Sequence, residues 1–172
     1  SIISLKSDGG IEVEKLFEGK SFFPYPKPVS LLQLLINSIE EKDGIFMDFF
    51  SGSATTAHAV MKQNVEDGGN RKYIMVQVQE DLDLALISSK TKETIKNAIV
   101  ECDKLNVQHS ICEIGKERIR RAGAKIKEEK GLIAQDLDVG FRDLKLDSSN
   151  MKDVYYHPAD YEPSLFDNVT DN

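Results

Sequence analysis

The sequence predicts an α/β fold with a mostly parallel sheet flanked by helices, and two observations carry that prediction. Residues 45–50 and 73–78 are short and almost entirely apolar, which is typical of parallel strands buried on both faces. Between them lie a tight loop with one glycine and a segment with helical character, residues 54–63. The order strand, loop, helix, turn, strand is that of a βαβ unit, which brings the two strands side by side.

The chain before this unit is predicted to run from extended pieces into one helix. Residues 1–20 read as short extended pieces around two glycine turns. Residues 23–28 are extended, because three alternating prolines remove N–H donors and restrict the backbone. Leucine and isoleucine side chains at helical spacing then predict a helix over residues 31–39. The pair Asp43 and Gly44 predicts the turn that ends it.

The chain after the unit is predicted to be mainly helical. Residues 91–130 predict two helices broken near Asn106, because apolar and long basic side chains recur at helical intervals. Residues 140–146 alternate well enough to predict a strand. Residues 155–158 fit either the end of an edge strand or part of a subunit interface. After Tyr161 the chain is polar and acidic without a period, which predicts a frayed tail.

Composition excludes several classes of protein. Lys and Arg number 22 against 29 Asp and Glu, a net charge of −7, and the pI of about 5.0 argues against nucleic-acid binding by bulk charge. A locally basic face stays open. The only two cysteines, Cys102 and Cys112, exclude a disulfide scaffold and are expected to be buried or inert. With neither a membrane-length apolar run nor a signal segment, we expect a cytoplasmic chain.

The sharpest local signal is the loop of residues 48–55, which closes one predicted strand and opens a helix. Gly52 permits a tight turn and close approach to a ligand. Ser53 and Thr55 present N–H groups at a helix N-terminus, which attracts anions. Asp48, at the carboxyl end of the strand, can accept from a ligand cation or hydroxyl. The loop equally fits a plain connection without a ligand.

The loop does not match the common nucleotide and hydrolase signatures. The Gly-Lys-Ser/Thr of a P-loop is absent, and so is the Gly-x-Ser-x-Gly of a hydrolase nucleophile elbow. One glycine in place of three disfavours a nucleotide-binding oxidoreductase. A second segment precedes the predicted helix: Lys27 and Pro28 end a rigid extended stretch that can hold one ammonium over a pocket. That stretch also fits a proline-stiffened linker.

Taken together, these segments resemble the cofactor-binding half of amino-group DNA methyltransferases of the permuted β type. The fuller pattern resembles the modification subunits of type III restriction systems, over roughly residues 16–158. The segments that carry this resemblance occur in the same order in that family: residues 23–28, 48–60, 70–77, 111–122, 140–142 and 145–154. The resemblance implies a three-layer Rossmann-like methyltransferase fold, present here in part, with S-adenosyl-L-methionine (AdoMet) as the methyl donor.

The resemblance also assigns cofactor-binding residues. They lie on the two segments or follow the second strand: Phe23, Pro24, Lys27, Pro28, Asp48, Phe50, Gly52, Ser53, Thr55, Gln77 and Glu80. By this analogy Lys27, Ser53 and Thr55 face the AdoMet carboxylate, and Asp48 lies near its amino group. Phe50 and Gly52 form the floor under the methionine part. The family usually places an acidic residue at the position of Gln77 to bind the ribose hydroxyls.

Two positions depart from the family pattern. Gln77 carries an amide, which accepts a hydroxyl proton without a charge, and Glu80 is the alternative ribose partner. Ala54 replaces the usual second glycine of the loop, so closer backbone approach to the cofactor is lost.

The motif that performs the transfer in this family is absent. An Asp/Asn-Pro-Pro-Tyr/Phe motif binds the adenine amine and stacks on the extruded base, yet none of the five prolines of this chain are adjacent. We therefore expect no catalytic motif here and a C-terminal fragment or split chain that is inactive alone. Residues 1–20 would end the target-recognition region, residues 21–158 would form the AdoMet-binding domain, and residues 159–172 the tail.

The resemblance implies a function in the full protein: methylation of adenine N6 at a specific DNA site by a type III modification subunit. Its partners would be double-stranded DNA, the helicase-nuclease restriction subunit and, as a further option, a second copy of itself, with no membrane. The alternative is a stand-alone binding or interaction module that keeps the fold without the reaction.

The remaining candidate residues are expected to be structural. His58 is predicted to be packed or half-exposed on its helix, and His109 and His157 lack a ligand arrangement for a metal. Seven basic residues on the last predicted helix alternate with glutamates and predict a solvated face, with a phosphate-contacting stripe as the alternative. They are Lys116, Arg118, Arg120, Arg121, Lys125, Lys127 and Lys130.

Overall fold

The computed structural model describes residues 8–146. In chain order its elements are α1 (Gly9–Leu16), α2 (Val29–Asn37), β1 (Ile45–Asp48), α3 (Thr55–Asp67), β2 (Lys72–Met75), α4 (Leu82–Ser88), α5 (Lys92–Leu105), α6 (Ile111–Lys130) and a 3₁₀ turn (Gly131–Ala134). All of them lie in the first of two compact units, which ends at Gly140. The predictions for His157, for residues 155–158 and for the tail fall outside the described residues.

The predicted βαβ unit is confirmed. β1 and β2 pair in parallel, with Ile45 opposite Lys72 and Asp48 opposite Met75. The helix α3 connects them and packs on the sheet. Because both strands point the same way, the loop after β1 and the segment after β2 meet at one edge of the sheet. This edge carries the candidate site.

The prediction that both faces of the strands are buried is wrong for the described residues. Ile45, Met47 and Ile74 are 65%, 49% and 42% exposed; we call these three side chains the bare face. Phe46 and Tyr73 alternate with them and pack on the other face against a core made by α2 and α3. Within residues 8–146, helices cover only that one face, so an apolar run here does not mark a strand buried on both sides.

The prediction of extended structure near the start of the chain is also wrong for residues 9–16, because they form α1. Val13 and Leu16 are buried on one side of this helix, and their burial outweighs the low helix propensity of its two glycines. Gly9 is required by close approach, since a Cβ at that position would lie 2.2 Å from the carbonyl oxygen of Pro26. Glu12 Oε2 accepts a hydrogen bond from the N–H of Val29 at 2.8 Å.

The helical second half follows the sequence more closely. The predicted break near Asn106 is confirmed, because Asn106 adopts a left-handed conformation (φ 53°) and ends α5. Residues 82–88, for which no element was predicted, form α4; the side chain of its N-cap, Asp81, accepts from the N–H groups of Asp83 and Leu84. Cys102 is buried and Cys112 is half-buried. No helix among residues 8–146 has the length and apolar character needed to span a bilayer.

Two further predictions, the end of the second helix and a strand over residues 140–146, differ from the structure. α2 ends at Asn37, before the predicted turn at Asp43 and Gly44. Residues 140–146 have no regular secondary structure, so the predicted strand is wrong. Alternating side chains alone do not make a strand, since a strand also needs a neighbouring chain to complete its ladder of hydrogen bonds.

Candidate functional site

The loop after β1 is tied to the end of β2. The N–H of Val76 donates to the carbonyl of Asp48 at 2.8 Å, and the N–H of Ser51 donates to the carbonyl of Val76 at 3.1 Å. The side chain of Asp48 closes the turn from within, because its Oδ1 accepts from the N–H of Phe50 at 3.2 Å. The parallel ladder thus continues into the loop and holds it in one shape.

Two consecutive turns of the loop use left-handed backbone. Gly52 has φ +47° and Ala54 has φ +57°. Ala54 is the N-cap of α3 and makes no side-chain hydrogen bond to the first turn of that helix. The first N–H groups of a helix have no intrahelical acceptor, so this end of α3 keeps its positive electrostatic potential.

The side chain of Gln77 is held by two hydrogen bonds. Its Oε1 accepts from the N–H of Gly52 at 2.7 Å, and its Nε2 donates to the carbonyl of Val78 at 3.2 Å. The side chain therefore braces the loop. Glu80 is exposed, and its backbone carbonyl accepts from the N–H of Ile111 at 3.3 Å. Its carboxylate stays available at the same edge of the sheet.

Asp48 also lines a groove next to the loop. Its Oδ2 accepts from the hydroxyl of Thr56 at 2.7 Å. The groove has a volume of about 310 Å³ and is mostly apolar, with Leu32, Leu35, Ile36, Ile39, Phe46, Met47, Asp48 and Thr56 on its walls. Asp48 and Thr56 are the polar side chains of that lining. A carboxylate oxygen has further lone pairs after one hydrogen bond, so Asp48 can still accept from a cationic group.

The strongest polar cluster lies behind the first turn of α3. Ser53 and Thr55 are buried, and their hydroxyl oxygens are 3.0 Å apart. Arg118, from α6, reaches both: its Nη1 donates to the carbonyl of Ser53 at 2.7 Å, to Ser53 Oγ at 2.8 Å and to Thr55 Oγ1 at 2.7 Å. One nitrogen thus holds three oxygen atoms of the turn.

Arg118 is 0% exposed, so the prediction of a solvated basic face is wrong for this residue. Its Nε and Nη2 are buried without a hydrogen-bond partner among the described residues. Burial lowers the pKa of Arg118 to about 10, and the charge of Glu12 opposes that shift. The guanidinium remains charged at neutral pH. Arg121, by contrast, lies at the surface edge and pairs with Glu117 at 2.8 Å.

A sequence signal for Arg118 existed in the helix periodicity. It lies four residues after Ile114 and four before Ala122, and both of these are fully buried. Residues at i and i+4 share one face of a helix, so Arg118 belongs to the apolar face of α6. The prediction that Arg118 is solvated relied on its residue type and not on its position in the helix.

The predicted proline segment lies beside this cluster. The hydroxyl of Thr55 donates to the carbonyl of Lys27 at 3.3 Å, and the Lys27 side chain is exposed. Pro28 is the N-cap of α2. Phe23 is 8% exposed and anchors the segment in the core, whereas Pro24 is exposed. The structure therefore brings the Lys27 backbone to the loop and leaves its ammonium free to reach over the same edge.

Phe50 extends from the loop with 85% of its surface exposed. No other described side chain covers it. Gly52 lies directly behind it and faces α6, where a Cβ built on Gly115 would be 3.5 Å from the Gly52 carbonyl oxygen. An aromatic ring exposed at a loop and flanked by a glycine is a surface on which a ligand can rest.

Two histidines lie within the described residues, and their surroundings differ. His58 is on α3, and burial lowers its pKa to about 3, with smaller contributions from Arg118, Lys62 and Lys125. His109 lies between two carboxylates, 2.8 Å from Asp83 and 2.9 Å from Asp103. Within residues 8–146, no group of three or more His, Cys, Asp or Glu side chains is arranged to hold a metal ion.

Comparison with known proteins identifies one family. The family model N6_N4_Mtase, described as DNA methylase, matches residues 6–120. The matched region includes α1 to α5, both strands, the loop of residues 48–55 and Arg118.

Several curated proteins are similar over much of the chain. The Type III restriction-modification enzyme StyLTI Mod subunit of Salmonella typhimurium is 36% identical over 140 residues, 81% of this chain and 19% of that protein. The EcoPI Mod subunit of Escherichia phage P1 is 37% identical over 111 residues, 64% of this chain and 14% of that protein. The EcoP15I Mod subunit of Escherichia coli is 29% identical over 161 residues, 90% and 22% respectively. The chain therefore spans about a fifth or less of these relatives.

Proposed function

The chain belongs to the N6_N4_Mtase family of DNA methylases, and from that premise we propose that it is the cofactor-binding part of a site-specific adenine-N6 DNA methyltransferase. The full protein would be the modification subunit of a type III restriction-modification system, since three similar proteins carry that name. Its substrate would be double-stranded DNA, and it would associate with a restriction subunit and form a homodimer. A stand-alone module without the reaction is not favoured, because these relatives are modification enzymes.

The observation that supports the cofactor site is the anion-complementary turn at the start of α3. AdoMet carries a carboxylate, and this turn offers first-turn N–H groups, the hydroxyls of Ser53 and Thr55, and a positive charge from Arg118 directly behind them. Helix N-termini of this kind bind carboxylates and phosphates. When bound, AdoMet would supply the methyl group that passes from its sulfonium to the adenine amine.

Each candidate residue has a proposed part in binding. Lys27 reaches over the turn and pairs with the carboxylate from the solvent side. Asp48 accepts from the AdoMet amino group with the lone pairs that Thr56 leaves unused. Phe50 and Gly52 form the floor below the methionine chain. Glu80 takes the ribose hydroxyls, because the amide oxygen of Gln77 is engaged by the loop.

The chain itself would bind and orient the cofactor without completing the reaction. It contains no adjacent prolines, and the Asp/Asn-Pro-Pro-Tyr/Phe motif that holds the extruded base is therefore outside it. Orientation of the reacting groups and electrostatic complementarity are what a methyltransferase contributes to direct transfer. We expect no methyl transfer to DNA from this chain alone, and transfer once the segment with the motif is restored.

Calorimetric titration of AdoMet into the folded chain tests the site. Asp48→Asn should weaken binding about 10-fold or more, because a hydrogen bond to a charged group is lost. Asp43→Asn is the matched control: Asp43 is exposed at the opposite end of β1 and accepts from Asn70 at 3.1 Å, so its affinity should not change. A folded chain that binds no AdoMet, both alone and with the upstream segment restored, would reject the proposal.

A further inference from the structure

We propose that Arg118 is a positioning residue for the cofactor carboxylate: it fixes the Ser53–Thr55 turn from behind and supplies the buried positive charge that the bound anion neutralises. The inference rests on the proposed AdoMet site. It assigns a role to a residue that lies 60 residues or more from the loop in sequence and that does not itself touch the ligand.

Within residues 8–146, the charge of Arg118 lacks a counter-ion. Arg118 is fully buried, and no described carboxylate forms an ion pair with it. Arg71 shows what a paired arginine looks like in this protein, since its two terminal nitrogens bind the two oxygens of Asp67 at 2.9 and 2.8 Å. A buried unpaired charge is strongly unfavourable. The folded chain therefore holds a positive charge that an anion would stabilise.

The charge of Arg118 also sits where a cation is disfavoured. Its guanidinium reaches the N-terminus of α3, where the helix dipole is already positive. A capping carboxylate would relieve both charges, but the N-cap is Ala54 and makes no side-chain bond. The charge of Glu12 acts on Arg118, but the Glu12 carboxylate accepts from the N–H of Val29 and forms no ion pair with Arg118. An anion from outside the described chain is the missing component.

The hydrogen bonds around Arg118 also set the directions of the two hydroxyl groups. Because Arg118 donates to both hydroxyl oxygens, these hydroxyls must direct their own protons elsewhere. The Thr55 hydroxyl donates to the carbonyl of Lys27, which ties the proline segment to the turn. The Ser53 hydroxyl then directs its proton to Thr55 Oγ1, 3.0 Å away. Donation from a guanidinium polarises a hydroxyl and makes its proton a stronger donor, so a bound carboxylate can compete with Thr55 Oγ1 for the Ser53 proton.

The test compares two ligands that differ in the part that Arg118 serves. AdoMet carries the amino-acid group, whereas 5′-methylthioadenosine keeps the adenosine and the sulfur and lacks that group. Both are titrated into the wild-type chain, Arg118→Met and Arg118→Lys. We expect Arg118→Met to weaken AdoMet binding about 10- to 100-fold and to change methylthioadenosine affinity about 2-fold at most. Arg118→Lys, which keeps the charge but loses the three-way contact, should fall between.

Arg71→Lys is the matched control, because Arg71 is equally buried but binds at the far end of α3. It should leave both affinities unchanged in the folded fraction. Equal loss of both ligands in Arg118→Lys, or an unchanged AdoMet affinity in a folded Arg118 variant, would overturn the assignment. If the wild-type chain bound methylthioadenosine and AdoMet equally well, the carboxylate site would be refuted. If it bound neither, even with the upstream segment restored, the proposed function would fail and this inference with it.

Discussion

Each end of α3 contacts a buried arginine, and the two arginines differ in how many hydrogen-bond partners they have. At the C-terminal end Arg71 is saturated: it binds both oxygens of Asp67, and its Nε donates to the carbonyl of Glu41 at 2.6 Å. At the N-terminal end Arg118 uses one nitrogen and leaves two unpartnered within the described residues. Both arginines are buried. The difference indicates that Arg71 serves the stability of the fold, whereas Arg118 is held ready for something that binds.

The largest expected effect is a difference between the two buried arginines: Arg71 should matter more for stability, and Arg118 more for AdoMet binding. Arg71→Met should lower the free energy of unfolding by about 2 to 3 kcal/mol, because Asp67 loses its two hydrogen bonds from the guanidinium and the Glu41 carbonyl loses its donor. Arg118→Met should lower it by about 1 kcal/mol or less, because the lost hydrogen bonds are offset by removal of an unpaired buried charge. Urea unfolding followed by circular dichroism measures both. A larger stability loss in Arg118→Met than in Arg71→Met would contradict the comparison.

Acid should weaken the ion pair at the C-terminal end of α3. Hydrogen bonds from Arg71 hold the pKa of Asp67 well below its usual range, against a smaller opposing effect of burial. Because the folded pKa is depressed, the contribution is present above the unfolded pKa of about 3.9 and is lost as pH falls below it.

The variant Asp67→Asn isolates this contribution. It should reduce the difference in unfolding free energy between pH 5 and pH 2.5 by about 1 kcal/mol, a value discounted for the partial exposure of this carboxylate. Urea unfolding at the two pH values gives the answer. The same pH dependence in the wild type and in Asp67→Asn would show that the ion pair does not carry it.

His58 reports on the N-terminal end. Its pKa of about 3 results from burial first and from Arg118 second. It lines a cavity of about 180 Å³ whose other charged side chains are Glu12, Lys15, Lys62, Lys125, Glu129 and Lys130. In Arg118→Met one source of repulsion disappears, so the His58 pKa should rise; in Arg71→Met it should stay. NMR titration of the imidazole signals measures this, and an unmoved pKa in Arg118→Met would remove the electrostatic link.

The same histidine makes stability depend on pH. Its folded pKa lies below the unfolded value of 6.5, so the stability it allows is present above pH 6.5 and is lost as pH falls toward 3. The slope is at most about 1.4 kcal/mol per pH unit. His58→Gln should flatten this part of the profile, and Gln at the partly exposed position keeps a polar group there.

The smallest expected effect is a gain at the contact between α6 and the loop. A Cβ on Gly115 would meet the Gly52 carbonyl oxygen at 3.5 Å and the Ala54 Cβ at 3.9 Å, which are ordinary contacts. Gly115→Ala should therefore stabilise the chain by about 0.5 to 1 kcal/mol through helix propensity. Gly123→Ala is the contrast, because its Cβ would lie 2.8 Å from the Cβ of Val139. A loss of stability in Gly115→Ala would show that the loop tolerates no closer packing.

Local patterns predicted the centre of the fold well. The order of β1, the loop, α3 and β2 followed from apolar runs and one glycine, since these features are encoded within a few residues. The break at Asn106 followed in the same way. α1 was missed because its two glycines argue against a helix, and only burial of Val13 and Leu16 against distant elements stabilises it. Such tertiary stabilisation has no local signature.

The candidate site also contains residues that local sequence patterns reveal and residues that only tertiary packing brings to it. Asp48, Gly52, Ser53 and Thr55 were found because they are contiguous with the strand and the helix that position them. The partnership of Arg118 with this loop spans 63 or more residues of sequence, and it depends on how α6 packs on α3. The bracing role of Gln77 was likewise invisible, because it requires the parallel register that places the end of β2 beside the loop.

The bare face of β1 and β2 has a consequence for anyone who produces this polypeptide. Ile45, Met47 and Ile74 form an exposed apolar strip in the described part of the chain. Exposed apolar strips of this kind promote aggregation during expression. Yield should improve with mild detergent, with low protein concentration, or with charged replacements such as Ile45→Lys at the rim of the strip. The preparation that stays in solution most easily is then the one in which this strip is shielded.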